Sequence, residues 1–126
     1  MIVLWLGTNN LSADMPDSPE AVTRGIQAAI ETIKNTSPET KIILLSLPPN
    51  GAPDTPLQRS IQETNRLLTE LKKTSDATIV EVHAPLAAPG GGWKPECTVD
   101  GTHLSARGYE RVAEVIAPVL RGLIEQ

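Results

Sequence analysis

The feature that most constrains this fold is the alternation of short apolar runs with longer segments of helical periodicity. Three runs rich in Ile, Val and Leu are too short for buried helices and predict β-strands; they cover residues 2–6, 41–47 and 78–82. The first of them, IVLWL, shows no polar alternation. That continuity is typical of a strand that is buried on both faces.

Each apolar run is followed by a helix signal. Ser18 before Pro19 and Thr55 before Pro56 provide an N-cap residue with proline at the first helical position, and Ser105 precedes the last periodic segment. Apolar residues then recur at intervals of three and four, as on the buried face of a helix. The predicted helices cover residues 19–34, 56–73 and 106 onward.

The order strand, helix, strand, helix, strand, helix predicts an α/β fold with a parallel sheet and helices on both faces. With 126 residues, the chain has the length of a single domain. Ligands collect at the carboxyl ends of parallel strands, so we expect the functional rim in three loops. They cover residues 7–17, 48–54 and 83–103.

Composition excludes several functions. A net charge of −4 and an aromatic content of 2% disfavour nucleic-acid binding, because they provide neither a basic surface nor stacking platforms. No apolar run approaches the roughly 20 residues of a membrane span. The single cysteine, Cys97, cannot form an internal disulfide, which favours a cytoplasmic location over an oxidising compartment.

Two groups of residues on the predicted rim could carry chemistry. Asn9 follows the first strand after Gly7, where its amide could donate a hydrogen bond to an oxyanion; alternatively, it only ends the strand. Asp100 lies three residues before His103, so its carboxylate could orient the imidazole as a general base; alternatively, the segment is an ordinary turn.

Other chemistry on the rim has weaker support. His83 could join Asp100 and His103 in a metal site, but two histidines and one aspartate form no known ligand signature. Cys97 could act as a nucleophile, but no pattern of a cysteine enzyme surrounds it. We therefore expect no metal and no cofactor.

Taken together, IVLWLGTNN at the start and VDGTHLSARGYERVAEVIAPVL at the end resemble the SGNH hydrolases, also called GDSL esterases and lipases. The similarity is greatest to members that resemble platelet-activating-factor acetylhydrolase. It covers essentially the whole chain, including KIILLSLPPNG in the middle. It implies a flavodoxin-like, three-layer α/β/α fold over residues 1–126 and the hydrolysis of small acyl esters.

The resemblance also implies roles for individual residues. Asn9 matches the oxyanion-hole asparagine, His103 the general base, and Asp100 the acid that orients it. Gly7 matches the glycine of the same strand-end block. The Gly-Asp-Ser block that carries the family's nucleophilic serine is absent from this sequence.

Two hypotheses follow from that absence. The chain is either the C-terminal part of an ester hydrolase that lacks its nucleophile block, or a noncatalytic scaffold or interaction module that retains the fold. The apolar run 2–6 has no preceding element to cover an edge of the sheet. We therefore expect missing N-terminal elements or a partner, and predict self-association through that edge.

Overall fold

The computed structural model describes residues 1–126 and contains one parallel sheet of three strands in the order β1–β2–β3. β1 is Ile2–Leu4, β2 is Ile42–Leu45 and β3 is Ala77–Val80. Ile2 lies opposite Ile42, and Ile42 lies opposite Ala77. The predicted α/β class and parallel sheet are confirmed.

Five helices surround the sheet. They are α1 (Thr8–Ser12), α2 (Pro19–Thr36), α3 (Pro56–Leu71), α4 (His83–Leu86) and α5 (Ala106–Ile124), and a 3₁₀ turn covers Pro95–Cys97. The side chains of Ser18, Thr55 and Ser105 accept hydrogen bonds from backbone amides three residues later, as predicted for N-caps. The short helices α1 and α4 were not predicted. None of the helices is both long and apolar enough to cross a membrane.

The side chains of β2 separate two apolar cores. Ile42 and Leu44 pack with α2 and α3 on one face, whereas Ile43 and Leu45 pack with α5 on the other. All four side chains are essentially inaccessible to solvent. Helices therefore cover both faces of the sheet, as the three-layer prediction requires.

One prediction about β1 is wrong. We expected this strand to be buried on both faces, but 38% of Ile2 and 45% of Val3 are exposed. The physical reason is its place in the sheet: β1 pairs only with β2 and lies at an open edge. The ladder also stops at Leu4, opposite Leu44, rather than at residue 6.

Candidate active site

Gly7 sets the geometry of the loop that follows β1. Its φ angle of 120° is a conformation that residues with a side chain rarely adopt, and a Cβ here would lie 2.9 Å from Cγ1 of Val22. This tight turn starts α1 immediately, and the buried side chain of Leu11 holds that helix against the core. Asn9 is thereby placed in the first turn of α1, on the rim.

The Asn9 side chain is exposed and forms no hydrogen bond within the chain. The neighbouring Asn10 is engaged instead. Its side-chain amide donates to Oδ2 of Asp17 at 3.0 Å, and its backbone carbonyl accepts from the backbone amide of Asp17. Asn10 therefore closes the loop after β1. Asn9 keeps an unused amide donor that faces solvent.

Asp100 and His103 form a closed turn just before α5. Oδ2 of Asp100 lies 2.7 Å from Nδ1 of His103, while Oδ1 accepts from the backbone amides of Thr102 and His103 at 2.9 and 2.7 Å. Because a carboxylate is an acceptor, Nδ1 carries the proton in this contact. The other ring nitrogen, Nε2, then has a free lone pair.

These contacts lower the pKa of Asp100 to about 2 from its ordinary value of 3.8. The largest cause is the hydrogen bond from the His103 backbone amide, followed by the hydrogen bond from its side chain and then the one from the Thr102 amide. The carboxylate is therefore ionised across the neutral pH range. It can hold the imidazole in one tautomer and stabilise an imidazolium.

Contacts from distant residues fix this turn on the molecule. The indole of Trp93 and the amide of Gly51 both donate to the Gly101 carbonyl, at 2.8 and 2.7 Å. The Thr102 hydroxyl donates to Oδ1 of the buried Asn50 at 3.0 Å. Sequence reasoning missed these anchors, because no local pattern links residues that are far apart in the chain.

The His103 side chain lies largely in solvent. Its side chain is 75% exposed, that of Asp100 is 49% exposed, and Nε2 has no hydrogen-bond partner within the chain. The neighbours of the predicted site residues meet here, because Thr8, next to Asn9, and Leu104, next to His103, line one depression of about 210 Å³. The loops that carry Asn9 and His103 therefore border one depression.

The sequence matches one known protein family over most of its length. The profile of the GDSL-like Lipase/Acylhydrolase family matches residues 1–111. The chain belongs to the GDSL-like lipase/acylhydrolase family. Asn9 and the Asp100–His103 turn both lie within the matched residues.

Individual proteins to which the chain is similar agree with that membership. The chain is 28% identical over 127 residues to platelet-activating factor acetylhydrolase IB subunit alpha2 of Rattus norvegicus, covering 100% of this chain and 54% of that protein. A solved structure described as a platelet activating factor from Streptococcus pneumonia superposes with a TM-score of 0.81 at 28% identity, covering 94% of this chain and 58% of that one. A GDSL-like lipase from Bacteroides thetaiotaomicron has the same fold, with a TM-score of 0.81 at 22% identity, over 96% of this chain and 62% of that one.

The match to these GDSL-like proteins is partial in one respect. The chain spans about half the length of the curated relatives it matches, although all of it aligns. The structure therefore describes one portion of the length that those relatives have.

The other two candidate residues, His83 and Cys97, do not form a site with Asp100 and His103. No group of three His, Cys, Asp or Glu side chains is placed to hold a metal ion, so His83 does not join Asp100 and His103. Nε2 of His83 is buried without a partner, and burial lowers the pKa of this imidazole. Cys97 is fully buried under α5.

Proposed function

We propose that this chain provides the general base, its orienting carboxylate and an oxyanion donor of a GDSL-type ester hydrolase. His103 is the base, Asp100 orients it, and Asn9 is the donor. The observation that carries the proposal is the Asp100–His103 pair, in which Nδ1 is held by the carboxylate and the side chain of His103 is largely exposed. In this proposal the nucleophilic serine is not among residues 1–126.

The chemistry of each group follows from its contacts. Nε2 of His103 takes the proton of an attacking hydroxyl and later returns it to the leaving alcohol. Asp100 accepts from Nδ1–H throughout and balances the positive charge of the imidazolium. The Asn9 amide donates to the oxygen that becomes negative in the tetrahedral intermediate.

The surroundings of the serines support an external nucleophile. Ser46, at the end of β2, is 4% exposed, and its hydroxyl is engaged with Glu81 and with the backbone amides of Val82 and His83. The Ser12 hydroxyl donates to the Asn9 carbonyl. No serine hydroxyl lies within hydrogen-bond distance of Nε2 of His103.

Short acyl esters are the proposed substrate class. The rat relative is named an acetylhydrolase, which favours a small acyl group for this chain. The depression between Thr8 and Leu104 has a volume of only about 210 Å³. Pockets that hold drug-sized ligands begin near 300 Å³, so this depression fits a smaller group.

A chromogenic acetate ester tests the proposal on the chain alone. We expect slow hydrolysis that falls at least about tenfold in His103→Ala, because an oriented imidazole can still activate water. Asp100→Asn should reduce the rate in the same direction, because it removes the acceptor that sets the tautomer. Ser37→Ala, at an exposed serine after α2 and outside the rim, is the control and should leave the rate unchanged.

A fluorophosphonate that labels activated serines provides the second readout. We expect no serine of the chain to be labelled, because none is paired with the base. A labelled serine would contradict the external nucleophile, and equal hydrolysis by the chain and its His103→Ala variant would contradict the role of His103. The latter result would support a noncatalytic module instead.

A further inference from the structure

The loop after β2, residues 48–54, is the part of the predicted rim to which the proposed function assigns no role. It begins with Pro48 and Pro49, whose rings fix the backbone φ angle, and both residues are buried. Asn50 follows them and is only 5% exposed. A buried side-chain amide is stable only with hydrogen-bond partners inside the protein, so the contacts of Asn50 show what this loop holds.

Asn50 contacts the Asp100–His103 turn through its side chain. Its Oδ1 accepts from the hydroxyl of Thr102 at 3.0 Å, and the backbone amide of the same threonine donates to Oδ1 of Asp100 at 2.9 Å. The other oxygen of that carboxylate lies 2.7 Å from Nδ1 of His103. A continuous series of hydrogen bonds therefore joins the buried loop to the imidazole.

Gln58 holds the backbone of Asn50. It lies in the first turn of α3, three residues after the N-cap Thr55, where a glutamine side chain commonly turns back to the backbone amide of the cap residue. Nε2 of Gln58 instead donates to the Asn50 carbonyl at 2.8 Å, and its Oε1 is buried without a partner. A buried acceptor without a partner is unfavourable. Departures of this kind are expected where function requires a particular arrangement, which favours a functional role for the Gln58–Asn50 contact.

The Asp100–His103 pair needs support from buried residues because it is exposed itself. The side chains of Asp100 and His103 are 49% and 75% exposed. Pairs in contact with water hold their geometry weakly, because both side chains lose conformational freedom in the contact and the surrounding water weakens the attraction. The pair alone therefore does not fix the orientation of the imidazole, whereas contacts to the buried Asn50 do.

We propose that Asn50 is a positioning residue, which acts through Thr102 to hold the His103 imidazole in the orientation and tautomer that a general base requires. This inference rests on the proposed function of His103. Asn50 contacts the turn and not the imidazole, so its effect is to keep Asp100 in place beside Nδ1. A displacement of only about 1 Å at a catalytic group can cost about 10²-fold in rate, so such support has a large effect on activity.

Thr102→Val tests the proposal, because it removes the hydroxyl with little change of shape at an exposed residue. Nitrogen NMR of the imidazole reports which ring nitrogen carries the proton. We expect the neutral imidazole of His103 to be protonated mainly at Nδ1 in the wild type and at either nitrogen in the variant. The His103 amide donates to Asp100 and should exchange with solvent at least about tenfold faster in the variant, because the turn opens more often.

Two further substitutions separate the hydroxyl from other effects of the change. Thr102→Ser retains the hydroxyl and should restore the wild-type tautomer and exchange rate. Thr36→Val makes the same change at an exposed threonine at the end of α2 and should alter neither readout at His103. Circular dichroism of each variant shows that the fold is kept.

A double-mutant cycle tests the part that Asn50 plays. Asn50→Ala should change both NMR readouts in the same direction as Thr102→Val. Because the two residues act through one hydrogen bond, combining the substitutions should add little to the effect of either one alone.

The outcomes separate this inference from the proposed function. A wild-type tautomer and exchange rate in Thr102→Val would overturn the inference, as would an equal effect of Thr102→Ser or full additivity with Asn50→Ala. Neither NMR readout depends on ester hydrolysis. Hydrolysis that does not depend on His103 would contradict the proposed function instead.

Discussion

Gly108 provides a direct test of how the Asp100–His103 turn is held against α5. A Cβ at this position would lie 2.3 Å from the carbonyl oxygen of Cys97 and 3.1 Å from Cβ of Leu104. Carbon and oxygen ordinarily approach to about 3.3 Å, so Gly108→Ala requires a shift of roughly 1 Å. The obstacle is backbone, which cannot rotate away as a side chain can.

The cost can be estimated from these contacts. Overpacking of this kind costs about 1–3 kcal/mol. The Cys97 carbonyl also accepts from the Ser105 amide at 3.0 Å, and weakening that hydrogen bond adds about 1 kcal/mol. The higher helix propensity of alanine returns at most about 1 kcal/mol. The net expectation is a loss of about 1–3 kcal/mol in the free energy of unfolding.

The matched control lies in the same helix. A Cβ at Gly122 meets no atom within 4 Å, so Gly122→Ala should stabilise the chain by up to about 1 kcal/mol. Thermal unfolding distinguishes the two variants, because 1 kcal/mol corresponds to about 3–5 °C in Tm for a chain of this size. If Gly108→Ala were as stable as Gly122→Ala, the close approach of α5 to Cys97 would be refuted.

Four further predictions concern the titratable groups and the anchors of the turn. His103→Ala should raise the pKa of Asp100 only part of the way to 3.8, because the backbone amides of residues 102 and 103 still donate to the carboxylate. NMR titration of the carboxyl group measures this pKa. A complete return to 3.8 would contradict the conclusion that the backbone hydrogen bond is the largest cause of the shift. The lowered pKa means that Asp100 contributes stability above pH 4 that is lost as the pH falls from about 4 to about 2, which acid titration of wild type beside Asp100→Asn can show. Burial lowers the pKa of His83, so the free energy of unfolding should fall as the pH drops below about 6.5. Urea titrations at about pH 7.5 and 5.5 measure this fall, and His83→Gln should remove it. Trp93→Phe should cost about 1 kcal/mol and speed amide exchange at His103, because the Gly101 carbonyl loses one of two donors; unchanged exchange would argue against the anchor.

Local signals in the sequence predicted the main elements of the fold well. Ser18 with Pro19 and Thr55 with Pro56 determine where α2 and α3 begin, and these signals lie within a few adjacent residues. The apolar run of β2 is continuous because both faces of the central strand are buried. In these elements, the residues that determine the structure lie within the element or next to it, so the sequence alone predicts it.

The exposure of β1 could not be predicted in the same way. The continuous apolar pattern of IVLWL predicts a strand buried on both faces, whereas β1 pairs only with β2 and its side chains are partly exposed. The candidate site likewise combines local contacts, which the sequence predicts, with long-range contacts, which it does not. Asp100 and His103 are three residues apart, so their contact is local, whereas Trp93 with Gly101 and Asn50 with Thr102 depend on the tertiary fold.

The most direct measurement of the central claim is ester hydrolysis by a chimera. Residues 1–126 would replace the aligned portion of the rat alpha2 relative, whose remaining length would supply the rest of the domain. We predict hydrolysis of an acetyl ester that falls by about 10³-fold or more in His103→Ala and by about 10²–10³-fold in Asn9→Ala. A folded chimera whose turnover is the same with and without His103 would contradict the claim that this chain carries the catalytic base.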